Sequence, residues 1–404
     1  MAIKLTIITA FFPPEKGAAS YRILNTAKEL QSFGLDVDVI TTLANYPVGK
    51  LFKGYRWRLF KKEIIEGIIC RRYWLFPSNS NNPIIRILSM LSYCFSLLFT
   101  IPLLFFKKPD IVLVQTPPLL SATTATFISK FVGAKVILNV SDIWPLTASE
   151  LGVIRQESFS FRTFSKIEYL MYKFSDAFIG QSNETCDYLN KQTDKPIFLY
   201  RNLTKPYFIN NESSMKGNSQ KKIAYAGHLG LSQGVFNICK NISFKDYGVE
   251  FHIYGDGVEK PLIENFINEN PTSNIYLHQT VSKDSIQKKL LTFDATIIPL
   301  QANIYGAFPS KISMAMSSAL PIFFSGNGEG YEFVNKYKLG YVSKAGDIEA
   351  LNYNIKKFSK LDEQGIIKMK LSIANTVKNN FDYDNQQLKL YEFIKFNIIK
   401  NISY

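Results

Sequence analysis

The run YGAFPSKISMAMSSALPIF at positions 305–323 carries a single charge, Lys311, behind Pro309 and Ser310. Ser310 is of the type that caps a helix, so the spacing predicts a helix over 310–318 with Lys311 in its first turn. A cation there opposes the helix dipole. It becomes favourable when an anion shares the site, because free backbone N–H groups and the ammonium then bind the same phosphate. An exposed lysine kept for solubility is the other reading. The small residues behind it suit close packing against a ligand or a second helix.

Three glycine turns follow strand-like runs. TAFFPPEKGAASYR places Gly17 before a helical stretch, YAGHLGLSQG holds Gly227, Gly230 and Gly234, and YGDGVEK holds Gly255 and Gly257. Glycine lets a backbone approach a phosphate, and the next helix offers its first amides to it. Glycines that simply close strand–helix turns read the same way. Neither the dinucleotide fingerprint with its downstream acid nor the P-loop spacing is present, which argues against a dehydrogenase and a P-loop NTPase. In VSDIWPLTASELG, Asp142 follows a strand, where it could orient a sugar hydroxyl or cap the next helical turn. NYPVGKLFKGYRWRLFKKE interleaves aromatics with Lys53, Arg56, Arg58, Lys61 and Lys62. That pattern suits nucleic acid or an anionic lipid surface. The apolar stretch that comes after it favours lipid.

These residues need scaffolds. KLTIIT, DVDVITT, GIICRRYW, DIVLVQT, KVILNV, DAFIGQS and KPIFLYR read as strands separated by helices, the first helix over 18–33 with Ile23, Leu24, Ala27 and Leu30 on one side. A polar stretch at 203–221 reads as a linker. A second alternation follows, with strands KKIAYAG, VEFHIYG, NIYLHQ, DATIIPL, LPIFFSG and LGYVSK, and helices near 233–240, 258–268, 283–291, 310–318, 347–360 and 384–400. Alternation of this kind implies α/β architecture with two Rossmann-like, doubly wound parallel sheets. Residues 1–203 form the expected N-terminal domain and 204–383 the expected C-terminal domain. The 384–404 helix is expected to pack back on the first. Ligands are expected beyond the carboxyl ends of the strands, in a cleft between the domains.

The 404 residues suffice for two cores, and 46% are apolar. The net charge of +14, weighted to the N-terminal half, suits an anionic partner. Nucleic acid rests on that charge alone and is not expected. Four scattered cysteines without a CxxC pair, and three histidines, argue against a zinc site or a disulfide framework. The first residues do not read as a signal peptide. ILSMLSYCFSLLFTIPLLFF, at 87–106, holds no charge over 20 residues between Arg86 and Lys107. A buried helix, an interfacial helix and a membrane span all fit it, the interfacial one being favoured by its basic flanks.

Taken in order, FFPPEKGAASYR, NYPVGK, KPDIVLVQTPPLL, VSDIWPLTASELG, YAGHLGLSQGV, YGDGVEK, FDATIIPL and GAFPSKI resemble the retaining glycosyltransferases of family 4, which have the GT-B fold. The subgroup they most resemble is the L-fucosaminyltransferase-like enzymes of bacterial surface-polysaccharide synthesis. The resemblance spans residues 3 to about 345. It implies hexosyl transfer, possibly of an N-acetylated amino-deoxy sugar, from a UDP-sugar with retention. It further implies an undecaprenyl-diphosphate-linked saccharide acceptor in capsule or O-antigen synthesis, an enzyme peripheral to the inner face of the cytoplasmic membrane, and neither cofactor nor metal. By position, Asp142 and Lys311 would be catalytic. Gly17, Gly227, His228, Gly230, Gln233, Gly255, Gly257, Ser310 and Glu329 would bind donor, and the five basic residues at 53–62 would face membrane or acceptor. The family's spaced glutamate pair falls on Gly306 and Met314, and Glu329 is the nearest acid by sequence. Met314 motivates an alternative, a catalytically degenerate member that binds a glycan lipid or a partner.

Overall fold

The computed structural model describes residues 2–80, 82–208, 220–301 and 304–399. Most of the expected linker lies outside the described residues. The chain divides into two units. The first comprises Met1–Arg201, Tyr305–Ala307 and Asn385–Tyr404; the second comprises Asn202–Ile304 and Phe308–Asp384.

The first unit holds eight strands: β1 (Lys4–Ile8), β2 (Asp36–Thr42), β3 (Phe60–Ile65), β4 (Ile68–Tyr73), β5 (Ile111–Thr116), β6 (Lys135–Val140), β7 (Ala177–Gly180) and β8 (Ile197–Leu199). Their order is β3-β4-β2-β1-β5-β6-β7-β8. All neighbours run parallel except the β3–β4 hairpin. Ile7 in β1 pairs with Val39 on one side and Leu113 on the other. The sheet's direction of winding therefore switches between β1 and β5, and side chains beyond their carboxyl ends line the usual ligand crevice. Central strands are buried on both faces and read as largely apolar runs. β3 was not anticipated. Its alternation of exposed and half-buried residues is interleaved with the lysines read as a surface patch.

Two helix layers cover this sheet. Ala18–Ser32 and Tyr383–Asn397 pack on one face, where Leu24, Leu30, Leu390 and Ile394 share a core. Pro83–Leu98, Ile101–Lys107, Leu119–Phe131 and Phe159–Phe174 pack on the other, around Tyr93, Leu97, Leu104, Ala125 and Tyr172. The apolar stretch at 87–106 thus forms two helices bent by 43°, and no single described helix is long and apolar enough to cross a membrane. Asn82 caps the first of them by accepting the Ile84 amide at 2.9 Å, with Pro83 in the first turn. Burying Tyr93 and Leu97 contributes roughly 2 kcal/mol each.

The second unit has six parallel strands: β9 (Lys221–His228), β10 (Val249–Asp256), β11 (Ile275–His278), β12 (Ala295–Pro299), β13 (Ile322–Ser325) and β14 (Gly340–Ser343). The order is β11-β10-β9-β12-β13-β14, with the switch between β9 and β12. Two helices join those expected, Gly328–Lys336 and Glu363–Asn380. The second was hidden because its buried stripe includes Lys370, whose ammonium donates to the Phe293 carbonyl at 2.8 Å.

Candidate active site

In the second unit the candidate residues collect beyond β9 and β12. Lys311 occupies the first turn of the helix Ser310–Ser317. Pro309, not Ser310, is the N-cap: it lies in extended conformation and no side chain caps the helix. Ser310 is the first helical residue and is exposed. The Ile312 amide donates to the Pro309 carbonyl at 3.0 Å, which leaves the Ser310 and Lys311 amides as the open donors of this helix start. The Lys311 ammonium donates to the Tyr225 hydroxyl at 2.9 Å and lies 4.1 Å from the centre of that ring. The Tyr225 hydroxyl in turn donates to the His228 carbonyl. Among the described residues no carboxylate pairs with Lys311. Burial pushes its ammonium down to about 7.

Gly227 makes that lysine's position possible. A Cβ there would stand 2.4 Å from both Cε and Nζ of Lys311, and its φ of 151° is a conformation L residues rarely adopt. The other glycines answer to their own backbone. A Cβ on Gly255 would meet the Gly227 carbonyl oxygen at 2.1 Å, and one on Gly257 the Leu229 carbonyl oxygen at 2.4 Å. The exposed His228 ring lies against Gly230 and Gly257, and the buried Gln233 Oε1 has no hydrogen-bond partner.

One expectation is corrected. The helix after the second glycine turn, Val235–Asn241, does not offer free amides to a phosphate, because Glu259 Oε2 accepts from Val235 N at 2.9 Å and Phe236 N at 3.3 Å. Glu259 comes from the neighbouring turn, so only the fold brings it there. By contrast, no side chain caps the helix that carries Lys311, nor the helices Lys260–Glu269 and Gly328–Lys336 of this unit. Met314 lies one helical turn on and packs against the apolar cluster of Ile312, Ala315 and Phe333. Glu329 is buried in the first turn of Gly328–Lys336.

In the first unit, Gly17 is the N-cap of Ala18–Ser32, in extended conformation and with no side-chain cap. A Cβ there would meet only the Tyr46 ring at 3.5 Å, so packing does not demand glycine. The turn before it is held from inside. The buried Glu15 carboxylate accepts from the amides of Phe12, Asn45 and Tyr46, while the buried Arg72 donates to the carbonyls of Pro13 and Thr42.

Asp142 follows β6 and does not cap the next helix, whose N-cap is Pro145. Burial pushes its carboxyl above the usual range, and Arg22 opposes the shift. Arg22 is buried; it donates to Gln181 Oε1 at 2.8 Å and to Ser141 Oγ at 2.7 Å, and its Nε has no hydrogen-bond partner. Ser141 Oγ also accepts from Gln115 and Gln181. This network joins the ends of β5, β6 and β7 to the helix Ala18–Ser32. Arg22 lies inside the AASYR motif, yet nothing in its spacing distinguished it from a surface arginine.

Gly306 belongs to the first unit. Its amide donates to Glu184 Oε2 at 2.7 Å, and its carbonyl accepts from Ser182 and Thr185. Its φ is 85°, where a side chain is strained, and a Cβ on it would stand 2.8 Å from Ile143 Cδ1, which would have to shift. Of the five basic residues at 53–62, Lys53, Arg56, Arg58 and Lys62 are exposed. Lys61 is spent internally, on Glu63 at 2.7 Å and over the Tyr55 ring.

Comparison with known proteins identifies the class. Two doubly wound α/β units in this order form the GT-B fold. A lipopolysaccharide outer core galactosyltransferase, WaaB, matches with a TM-score of 0.65 at 14% identity over 97% of this chain and all of its own. The structure described as "Trehalose-6-phosphate from E. coli bound with UDP-2-fluoro glucose" matches with a TM-score of 0.68 at 10% identity over 96% of this chain and 98% of its own. Residues 209–374 match the family Glycosyl transferases group 1. In sequence, the chain is 23% identical over 319 residues to a probable glycosyltransferase, WbjE, of Pseudomonas aeruginosa, covering 74% of this chain and 78% of that protein. These matches support the glycosyltransferase superfamily.

Proposed function

We propose that the protein is a retaining glycosyltransferase that moves a hexosyl unit from a UDP-sugar to a lipid-linked saccharide. The observation that carries this reading is Lys311, a cation without a carboxylate partner among the described residues, at an uncapped helix N-terminus beyond the β9–β12 switch. A diphosphate supplies the missing anion, and a fixed cation beside it stabilises the charge that develops as the nucleoside diphosphate leaves. No metal or cofactor is invoked for this step. Asp142, held near Arg22, would orient a hydroxyl of the transferred sugar. The neighbour solved with UDP-2-fluoro glucose supports the donor class, and the lipopolysaccharide galactosyltransferase supports a surface-saccharide acceptor. An undecaprenyl-diphosphate carrier at the inner face of the cytoplasmic membrane fits that acceptor class.

The test is a donor screen by thermal shift followed by a transfer assay. A ligand that binds only the native state raises the melting temperature by mass action. A UDP-sugar that raises it, and is then transferred to a lipid-linked saccharide, is the expected result. Failure of every nucleotide-sugar to bind or react with folded protein would sink the reading. Binding without transfer or donor hydrolysis would instead favour the degenerate binding protein that Met314 suggests, since a thioether cannot accept ribose hydroxyl bonds as a carboxylate does.

A further inference from the structure

One face of the first unit's sheet carries a helix layer with an unusual composition. Its four helices, Pro83–Leu98, Ile101–Lys107, Leu119–Phe131 and Phe159–Phe174, contain one acid between them. That acid, Glu168, is buried and hydrogen-bonded to Tyr172 and Tyr188. The layer therefore shows no carboxylate to solvent. It does show Arg86, Arg162, Lys166 and Lys173. The helices on the opposite face carry the usual mixture, with Glu392 and Asp384 exposed.

Large apolar side chains fill the gap. Ring pairs Phe105–Phe131 and Phe127–Phe174, with centroids 5.7 and 5.0 Å apart, join Ile101–Lys107, Leu119–Phe131 and Phe159–Phe174, and Phe95–Phe99, 5.3 Å apart, pair at the C-terminal end of Pro83–Leu98. Each of these six rings is exposed, Phe131 to 69%, and neighbouring Phe106 reaches 88%. A patch this continuous on a soluble surface calls for a partner. The loop that leads into β3 adds an anchor beside it. Trp57 is fully exposed at φ 61°, between exposed Arg56 and Arg58. The loop is tied to the helix layer in two steps: Trp74 N donates to the Leu59 carbonyl, and Phe76 exchanges hydrogen bonds with Ser92 and Ser89.

We propose that this four-helix layer, together with the Trp57 loop, is the surface by which the protein docks flat on an anionic bilayer. The charge pattern selects this occupant. An anionic headgroup layer repels carboxylates and attracts lysine and arginine, whereas aromatic side chains sit at headgroup depth. Length excludes a span by either helix of the bent pair. At about 1.5 Å per residue, 16 and 7 residues reach roughly 24 and 10 Å, short of a core of about 30 Å. Their inner sides are also committed to the protein core, so only the outer sides are left for lipid. The inference stands on the surface alone and does not depend on the donor assignment.

The full-length protein is sedimented with phosphatidylcholine vesicles containing or lacking phosphatidylglycerol. Binding is expected to the anionic vesicles only and to fall steeply with salt. The Phe99→Ser/Phe106→Ser/Phe131→Ser variant is expected to bind at least tenfold more weakly while still responding to UDP-sugar in the lipid-free thermal shift. Brominated lipid is expected to quench fluorescence in the native protein and much less in Trp57→Phe, a readout that survives if the triple variant fails to fold. No binding to anionic vesicles, or unchanged binding and quenching in folded variants, overturns the proposal. Concentration-dependent dimerisation that hides the strip and excludes vesicles overturns it in favour of a second copy. Donor binding with no vesicle binding would leave the proposed activity standing and remove only the surface.

Discussion

Gly227 and Lys311 give a test in which steric and electrostatic reasoning must agree. Gly227→Ala puts a methyl group 2.4 Å from the last carbon and nitrogen of the lysine. The obstructed atoms are the free end of a flexible chain, so the lysine moves rather than the fold. The backbone at φ 151° adds strain of about 1–3 kcal/mol, enough to lower the melting temperature by several degrees without unfolding the protein. What is lost functionally is the ammonium's place. A hydrogen bond to a charged group contributes roughly 1.5–3 kcal/mol, which converts to about a 10- to 150-fold weaker donor at about 1.4 kcal/mol per tenfold. Lys311→Gln removes the same interaction without the strain. Calorimetric titration of UDP-sugar into the two single variants and the double variant checks the reasoning. The singles are expected to weaken binding alike, and the double to be no worse than Lys311→Gln, because both act through one ammonium. Gly255→Ala is the control, since its methyl group would strike the Gly227 carbonyl at 2.1 Å, a rigid obstacle, and the variant is expected not to fold. Unaltered donor affinity in folded Lys311→Gln would refute the anion assignment. Full affinity in Gly227→Ala alone would refute the steric link.

Three further outcomes follow from the titrating groups. Because burial holds the free Lys311 ammonium at about 7, donor binding at pH 8 is expected to take up a proton, with apparent affinity falling by up to about tenfold per pH unit above 7; titration in buffers of different ionisation enthalpy reads the proton, and equal heats in all buffers would contradict it. Arg22→Gln removes the charge that restrains the upward shift of Asp142, so the acid limb of the activity profile is expected to move to higher pH, whereas a uniform loss of rate with an unmoved limb would mean a structural role only. Burial raises Glu168 from 4.5 to about 7, so the folded state holds its proton more tightly than the unfolded chain. Its contribution is fully present below pH 4.5 and is lost as pH rises through 7, about 3 kcal/mol in all. Urea midpoints are expected to decline over that window in the native protein and to stay flatter in Glu168→Gln; parallel declines would place the effect elsewhere.

Much of the scaffold was legible in the chain because local pattern and burial coincide there. IVLVQT and KVILNV are largely apolar since both sheet faces are covered, and Ile23, Leu24, Ala27 and Leu30 mark the buried stripe of the first helix. Lys311 could be placed in a first helical turn, since proline and serine punctuate helix starts whatever surrounds them. Legibility failed where a residue's meaning depends on a distant one. Lys370 interrupts an apolar stripe because a carbonyl 77 residues away receives its ammonium.

By itself, then, the sequence determined which segments alternate, where glycine turns fall and that one lysine stands alone on its helix, all of which depend on neighbours a few residues apart. Tertiary structure decided which helix end is open. Glu259 closes one and no side chain caps the other, though both follow comparable turns. It also gathered Arg22, Ser141, Gln115 and Gln181 from four separate elements around one hydroxyl. And it set Ile101–Lys107, Leu119–Phe131 and Phe159–Phe174 side by side so that their exposed phenylalanines meet, a contact that none of those helices makes alone. The reason is the same in each case: hydrogen bonds, charge and exposed area are settled by distances in space, and these become defined only when the sheet brings distant segments together.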